Sequence, residues 1–454
     1  MFRKAILAIT TLFLGWSVLN GVPVTRAAAS TPLQHVIVIY QENHTFDNVL
    51  GYWCQQSGHC IGMPTKVTLK GGISVTPKQA PDIVPQIDHS VGGQLAAIDH
   101  GAMDGWAKVA GCAAPTYSCI DYYTPAQIPN LSALASKFAI SDATFSEADS
   151  PSWGGHLYAV AATTDGFLGT NPAPASAGPG WGCDSKKTSA WVSSTGKTLQ
   201  APSCIPDPSL GIANGGAFKP TQVSYVPTIM DRLDAAKLPW KLYATTKGPK
   251  TGGGSYNWAT CPSFAECLDT SQRTNLVNTS QVLTDAAAGK LPAFGLVLPG
   301  VDTVDRNASQ HNGTSMAVGD NWIGKLVGAL EASPEWSSTA IFITYDDCGC
   351  FYDQVPPGLN PDRSQKGTRV PLVIVSPYAI PGYVDSTPTT FAGILAFVEH
   401  NFGLTALNVN DAQAYPFSRA FNYSETPLPP VRMMQTPVTT TQLNAGTGDD
   451  DDPT

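Results

Sequence analysis

The chain has 454 residues, of which 43% are apolar and only 13% charged, and its formal net charge is −9. That apolar content excludes a disordered chain and suffices for one large core, while an acidic balance without a basic face argues against a nucleic-acid partner. Ten cysteines point to an oxidising compartment.

In chain order, residues 1–29 read as a cleaved signal peptide: Arg3 and Lys4, the apolar Ala5 to Val18, then Ala27-Ala28-Ala29 as a small-residue cleavage site. The apolar run falls short of the ~20 residues a membrane span needs, and no later segment is a better candidate. We therefore expect a secreted or periplasmic protein without a transmembrane anchor. Residues 30–430 show no linker composition and are expected to form one α/β domain.

His35 to Ile39 is β-branched and apolar, a strand buried on both faces, and it runs into Gln41-Glu42-Asn43. Residues 52–130 are rich in Gly, Pro and Cys and read as loops, with a short helix within Gln94 to Val109. A helix begins at Ile128, and Ala139 to Ala143 leads to a turn. Ser150 to Ala162 reads as a loop feeding a helix, with Ser152 at or near its N-terminus.

Residues 168–225 look like an insertion or lid. A helix near Thr228 to Ala236 and strands at Trp240 to Tyr243 and Ala293 to Leu298 follow. From Ser315 to Ala332, Val318, Trp322, Ile323, Leu326, Val327 and Leu330 recur at helical spacing and mark a one-sided helix leading into the strand Ala340 to Tyr345. That strand ends in Asp346-Asp347. Val370 to Val375 reads as a further strand, Phe391 to Asn401 as a helix, and 431–454 as a disordered acidic tail.

Cysteine spacing suggests local pairs, Cys54–Cys60, Cys112–Cys119, Cys183–Cys204 and Cys261–Cys267. Cys348 and Cys350 remain, as a local disulfide or as two free thiols.

In open α/β sheets chemistry gathers beyond the strand carboxyl ends. Two buried strands that both end in acids would bring Glu42, Asn43, Asp346 and Asp347 together. Their mutual repulsion is relieved by one divalent cation, whose identity these residue types do not choose. The plainer readings are a strand-end turn for Glu42-Asn43, a turn cap for Asp346-Asp347 and a helix cap for Ser152. Other chemistries lack their signatures: there is no Gly-x-Ser-x-Gly elbow and no His-Glu-x-x-His, and Gly319 to Lys325 has phosphate-loop spacing but lacks the final Ser or Thr and falls inside a helix.

The blocks His35 to Gly51, Gly101 to Trp106, Ser150 to Thr163, Gly319 to Pro357 and Gly367 to Tyr378 occur in this order. In them the chain resembles the bacterial phosphoesterase family that includes phospholipase C enzymes and secreted acid phosphatases, a branch of the alkaline-phosphatase-like superfamily. The resemblance implies a three-layer α/β/α sandwich around a mostly parallel sheet, with disulfide-stapled loop insertions. It also implies a metal site at Glu42, Asn43, Asp346 and Asp347, a nucleophile at Ser152, and phosphoryl-contacting histidines at His89 and His311. The expected reaction is hydrolysis of a phosphate ester, such as a phospholipid, through a phosphoserine intermediate. A phospholipase C-type phosphodiesterase is the first expectation, with an acid phosphatase or an inactive binding relative as alternatives. Asp47 and Asp353 are expected to hold structural hydrogen bonds, and Trp153 to lie in the core. The chain departs from the family pattern at Cys348, Cys350 and Gln354, where family members often carry an aromatic or histidine, a glycine and a histidine, and glutamine cannot carry a proton or positive charge.

Overall fold

The structure is a computed structural model that describes residues 31–147, 151–174, 177–193, 195–208, 222–246, 256–300 and 307–446. Its centre is an eight-stranded sheet of β1 (His35–Gln41), β2 (Ala139–Ser141), β3 (Trp240–Tyr243), β4 (Leu276–Val277), β5 (Phe294–Val297), β6 (Thr339–Tyr345), β7 (Leu372–Val375) and β8 (Val384–Asp385). The spatial order is β8-β2-β7-β6-β1-β5-β3-β4, and β7 alone runs against the rest. β1 lies between two parallel neighbours and all seven of its residues are buried, which is why it is an uninterrupted apolar run rather than an alternating one.

Six helices cover the sheet: α1 (Pro129–Lys137), α2 (Ser152–Ala161), α3 (Ile229–Ala236), α4 (Gln281–Ala288), α5 (Met316–Glu331) and α6 (Phe391–Phe402). α5 packs on α1 and α4 in one layer, and α2 packs on α3 and α6 in the other. Alternation along β1 assigns the layers to faces. Tyr40 donates from its hydroxyl to the Gly155 carbonyl in α2 and meets Phe391 of α6 edge-on, whereas the next residue, Gln41, reaches the Ala308 carbonyl on the opposite side. The expected three-layer α/β/α sandwich is borne out.

Local chemistry starts the helices where the apolar spacing demands them. Ser315 caps α5 by accepting from the Val318 amide, and Thr390 caps α6 through the Ala392 amide. All six apolar residues that marked α5 in the sequence are buried, worth about 1.5–3 kcal/mol each before the entropy of ordering is counted. α5 delivers the chain from β5 across to β6, with β1 between them.

Register decides where the acids fall. Ile39 is opposite Ile343 and Gln41 opposite Tyr345, so the two strands end level and the Asp346 amide donates to the Gln41 carbonyl. Glu42-Asn43 and Asp346-Asp347 emerge side by side.

The four cysteine pairs read from spacing are disulfides, and Cys348 and Cys350 are buried free thiols. Ala139 to Ser141 is a strand rather than the approach to a turn. Within the expected insertion, Thr188–Val192 and Thr198–Pro202 form a hairpin, held by Cys183–Cys204 and by a bridge from Trp191 to Phe167. The expectation of disorder from 431 onward is corrected as far as residue 446. The Val431 amide donates to Glu331, Met434 and Thr436 bond the side chains of Asn130 and Asn321, and Gln442 donates to Asp82. Composition missed this because the segment is held largely through its backbone by polar side chains of the body, with only the scattered Val431, Met433 and Val438 packing on the core. The expected signal segment 1–29 and the run of aspartates 449–452 lie outside the described residues. Among the described residues no helix is long and apolar enough to cross a membrane.

Candidate active site

Asn43 follows β1 in a left-handed conformation, φ 58°, and its backbone amide donates to Asp346 Oδ1 at 2.9 Å. The same Asp346 oxygen accepts from the Asp347 amide at 2.7 Å, and Asp347 Oδ1 accepts from the Gly349 amide at 2.7 Å. The turn readings of these acids are thus half of the account. Each aspartate uses Oδ1 to fold its own loop and turns Oδ2 inward, Asp346 Oδ2 to within 3.9 Å of His156 Nε2 and Asp347 Oδ2 to 3.2 Å from Ser152 Oγ. Gly349 is required there: its φ is +50°, and a Cβ would lie 2.1 Å from the Asn43 carbonyl oxygen.

Ser152 is the first residue of α2, and its hydroxyl does not cap the helix. Oγ lies 3.1 Å from the Asn43 side-chain amide and 3.2 Å from Asp347 Oδ2. One turn further on, His156 points the same way, with Nε2 2.9 Å from Glu42 Oε1. α2 can approach the β6 terminus only because residue 155 is glycine, where a Cβ would lie 2.9 Å from the Asp346 carbonyl oxygen.

His89 and His311 come from separate loops and meet at 5.5 Å between ring centroids. His89 Nδ1 faces the Ile87 carbonyl and His311 Nδ1 faces the Asn312 carbonyl, each at 2.9 Å, so Nδ1 carries a proton in both rings. Both Nε2 atoms are therefore the positions that gain or lose a proton, and both face Asn43. The amide of Asn43 is satisfied in one of its two orientations. There its nitrogen faces the Asp346 and Asp347 carboxylates while its oxygen lies 2.7 Å from His311 Nε2 and 3.1 Å from His89 Nε2. The opposite orientation would set its oxygen against the carboxylate oxygens of Asp346 and Asp347, acceptor against acceptor.

All seven residues singled out in the sequence, Glu42, Asn43, His89, Ser152, His311, Asp346 and Asp347, are buried and form one cluster. The sequence reading missed His156. A histidine in an apolar helix reads as core, and the available signal was its spacing of four from Ser152. It also missed Trp258, whose ring lies nearly parallel to His156 at 6.4 Å and to His311 at 6.5 Å, walling the cluster on one side. Trp153, in contrast, is core, bonded to Ser263 and packed on Phe167. His44, beside Asn43, stacks on Phe351, and burial holds it neutral with a pKa of about 3.

Burial, followed by the charges of Asp347 and Glu42, pushes the Asp346 carboxyl well above the usual range. Burial lowers His156 to about 4 even though Asp346 and Asp347 pull it upward. One ligand atom from each of Glu42, His156 and Asp346 fits within 4.8 Å of the others. The Nδ1 atom of His156 has no partner, so this ring, unlike those of His89 and His311, is not locked by a carbonyl. Crowded buried carboxylates beside a neutral imidazole suit a divalent cation, and the donor set fits one.

A family model described as "Phosphoesterase family" matches residues 33–405. The chain belongs to the phosphoesterase family. Among curated relatives, this phosphoesterase-family chain is 24% identical to non-hemolytic phospholipase C of Pseudomonas aeruginosa, over 86% of the chain and 57% of the relative. It is 22% identical to phospholipase C A of Mycobacterium tuberculosis, over 87% and 78%, and 29% identical to non-specific phospholipase C1 of Arabidopsis thaliana, over 32% of each. The chain thus spans between a third and somewhat over half of the length of the relatives it matches first. A solved protein of the alkaline phosphatase superfamily from Vibrio parahaemolyticus aligns over 84% of this chain and 71% of its own, at 10% identity and a TM-score of 0.38.

Around the family cluster lies a layer of polar residues that do not touch Ser152. Arg369 is wholly buried between Asp353, 2.9 Å from Nε, and Asp47, 3.0 Å from Nη2. Burial, then the neighbouring Asp353 charge, pushes the Asp47 carboxyl up to about 8, against the pull of Arg369. Gln354, at the departing position, donates from Nε2 to Asp47 and to the Gly62 carbonyl. Its amide is engaged in holding this layer, a task that needs no titrating group.

Proposed function

We propose that the chain is a secreted, cation-dependent phosphoesterase of phospholipase C type, which hydrolyses a phosphodiester through Ser152. The observation that carries this reading is the Ser152 hydroxyl 3.2 Å from Asp347 Oδ2, beside the buried Glu42, His156 and Asp346 group. Glu42, Asn43, Asp346 and Asp347, with His156, would hold the cation. When bound it would offset the acids, lower the pKa of the serine hydroxyl and polarise a phosphoryl oxygen. An imidazole among the ligands favours a first-row transition ion over calcium or magnesium.

The chain's own residues supply the remaining steps. Ser152 gives its proton towards Asp347 Oδ2, and Oγ forms a bond to phosphorus as the bond to the ester alcohol breaks. His89 or His311 protonates the departing oxygen from Nε2, the position left free by the Nδ1 contact to a backbone carbonyl. Water then attacks the phosphoserine, releasing a phosphate monoester and restoring the hydroxyl. During the transfer, the histidine that keeps its proton offsets charge on the phosphoryl group.

The test is hydrolysis of a choline phosphodiester beside p-nitrophenyl phosphate, before and after chelation and with single cations restored. Faster turnover of the diester, lost on chelation and recovered with one cation, is the expected result. Preference for the monoester would make the protein an acid phosphatase, and no turnover of either with any cation would leave it an inactive binding relative.

A further inference from the structure

We propose that Arg369 is a positioning residue that fixes the spacing between the two acid-bearing turns and so sets the cation affinity of the site. This rests on reading Glu42, His156 and Asp346 as cation ligands. Arg369 ends the short strand Lys366–Arg369, outside the main sheet, and its hydrogen bonds go to Asp47, Asp353, Ile61 and Asp142, all outside the seven clustered residues. Its fork spans both turns at once. Asp47 lies four residues beyond Asn43 and Asp353 six beyond Asp347, and each gives Oδ1 to the same guanidinium. The remaining nitrogen, Nη1, donates to the Ile61 and Asp142 carbonyls at 3.2 and 2.9 Å, and the Phe46 ring lies 4.6 Å from the guanidinium carbon.

The two carboxylates are close enough through the shared guanidinium for the Asp353 charge to add to burial in pushing Asp47 up, and the Asp47 backbone amide donates to Asp353 Oδ2 at 3.3 Å. Both are fully buried, so removing the cationic partner leaves two carboxylates opposed in a low-dielectric interior. They then part or take up a proton, and either response loosens the link between residues 43–47 and 346–353. The Asn43 amide to Asp346, the Thr45 hydroxyl to the Tyr352 carbonyl, the Asp47 amide to Asp353 and the Gln354 contacts to Asp47 would still cross that seam, so the turns stay neighbours but lose the charged link that sets their spacing. Lysine offers a point charge without a planar fork and cannot hold two carboxylates and two carbonyls in one geometry.

The experiment titrates the intact protein with Mn2+, following free ion by electron paramagnetic resonance, and compares it with R369K and with the neutralised variant D47N/R369M/D353N. The second variant removes all three charges together and leaves none unpaired. We expect folded variants, by near-ultraviolet circular dichroism, that bind Mn2+ about 10–100-fold more weakly, the range for residues that orient ligands from outside the site. We also expect turnover to approach the parental kcat once Mn2+ is saturating, a rescue that a general loss of structure would not show. Parental Mn2+ affinity in either folded variant overturns the proposal, as does failure of both to fold, which would make Arg369 a folding element. Absence of Mn2+ binding by the parent protein itself would sink the cation reading, and the clamp with it.

Discussion

Asp346 and Asp347 each divide two oxygens between folding and chemistry, and that division explains how acids so crowded can be held in place. Oδ1 satisfies backbone amides and Oδ2 is left for the centre. Replacing Ser152 by Ala should cut kcat by about 10⁴-fold or more, as removal of a covalent nucleophile does. The same variant should bind Mn2+ within a few-fold of the parent, because the carboxylates stay; comparable losses in both measurements would contradict the assignment. Replacing His156 by Ala should weaken Mn2+ binding by at least about 10-fold, read by the same titration. At this scale the acids were legible because two apolar strands end in them, which is a local pattern. His156 was not, because nothing in a short window distinguishes a buried helical histidine that meets a carboxylate from a core histidine. Its identity depends on Glu42, 114 positions away.

Elements were legible where periodicity or β-branching was strong. β1, β3, β5 and β6 are short apolar runs, and α5 and α6 carry one-sided apolar spacing with polar caps, so their positions follow from local composition. β2 escaped because three residues of a buried strand leave no period to read, and pairing with β7 and β8 is what makes it a strand. The segment after residue 430 escaped for a different reason, since its partners are α5 and the start of α1. Glu331 at the end of α5 is central to that docking: both its oxygens accept from the Val431 amide, and burial raises its pKa from the usual 4.5 to about 7. Between those pH values the folded protein keeps a proton that the unfolded chain has released. Its favourable contribution is therefore complete below about pH 4.5 and lost as pH rises to about 7. E331Q should gain in Tm relative to the parent across that interval, with a constant difference above it, as measured by thermal melts from pH 4 to 8. A Tm difference that does not change with pH would exclude Glu331 as the group responsible.

Over the whole molecule the resemblance in ordered blocks anticipated the three layers, while spacing anticipated the four disulfides. The disulfides close short loops, with separations of 6, 7, 21 and 6 residues. By chain entropy each is worth about 2–3 kcal/mol, so reduction should lower Tm markedly and do so without chelating agents present. A bound cation adds linkage to this: Mn2+ at about 100 times its Kd should stabilise the fold by about 2.7 kcal/mol. Calorimetry with and without Mn2+ reads that increment, and H156A, binding at least about 10-fold more weakly, should lose about half of it or more.

The contact from the Asn43 amide to Asp346 joins positions 303 residues apart in the chain. Loops of that size close late in folding, since the entropy of closure must be met before the contact can form. A growing polypeptide thus displays Ser152 well before the second pair of acids has been synthesised, and on the proposed mechanism any fragment stopping short of position 347 should be inert. If the proposed site carries the reaction, regained turnover should be a stricter gauge of complete renaturation than regained helicity.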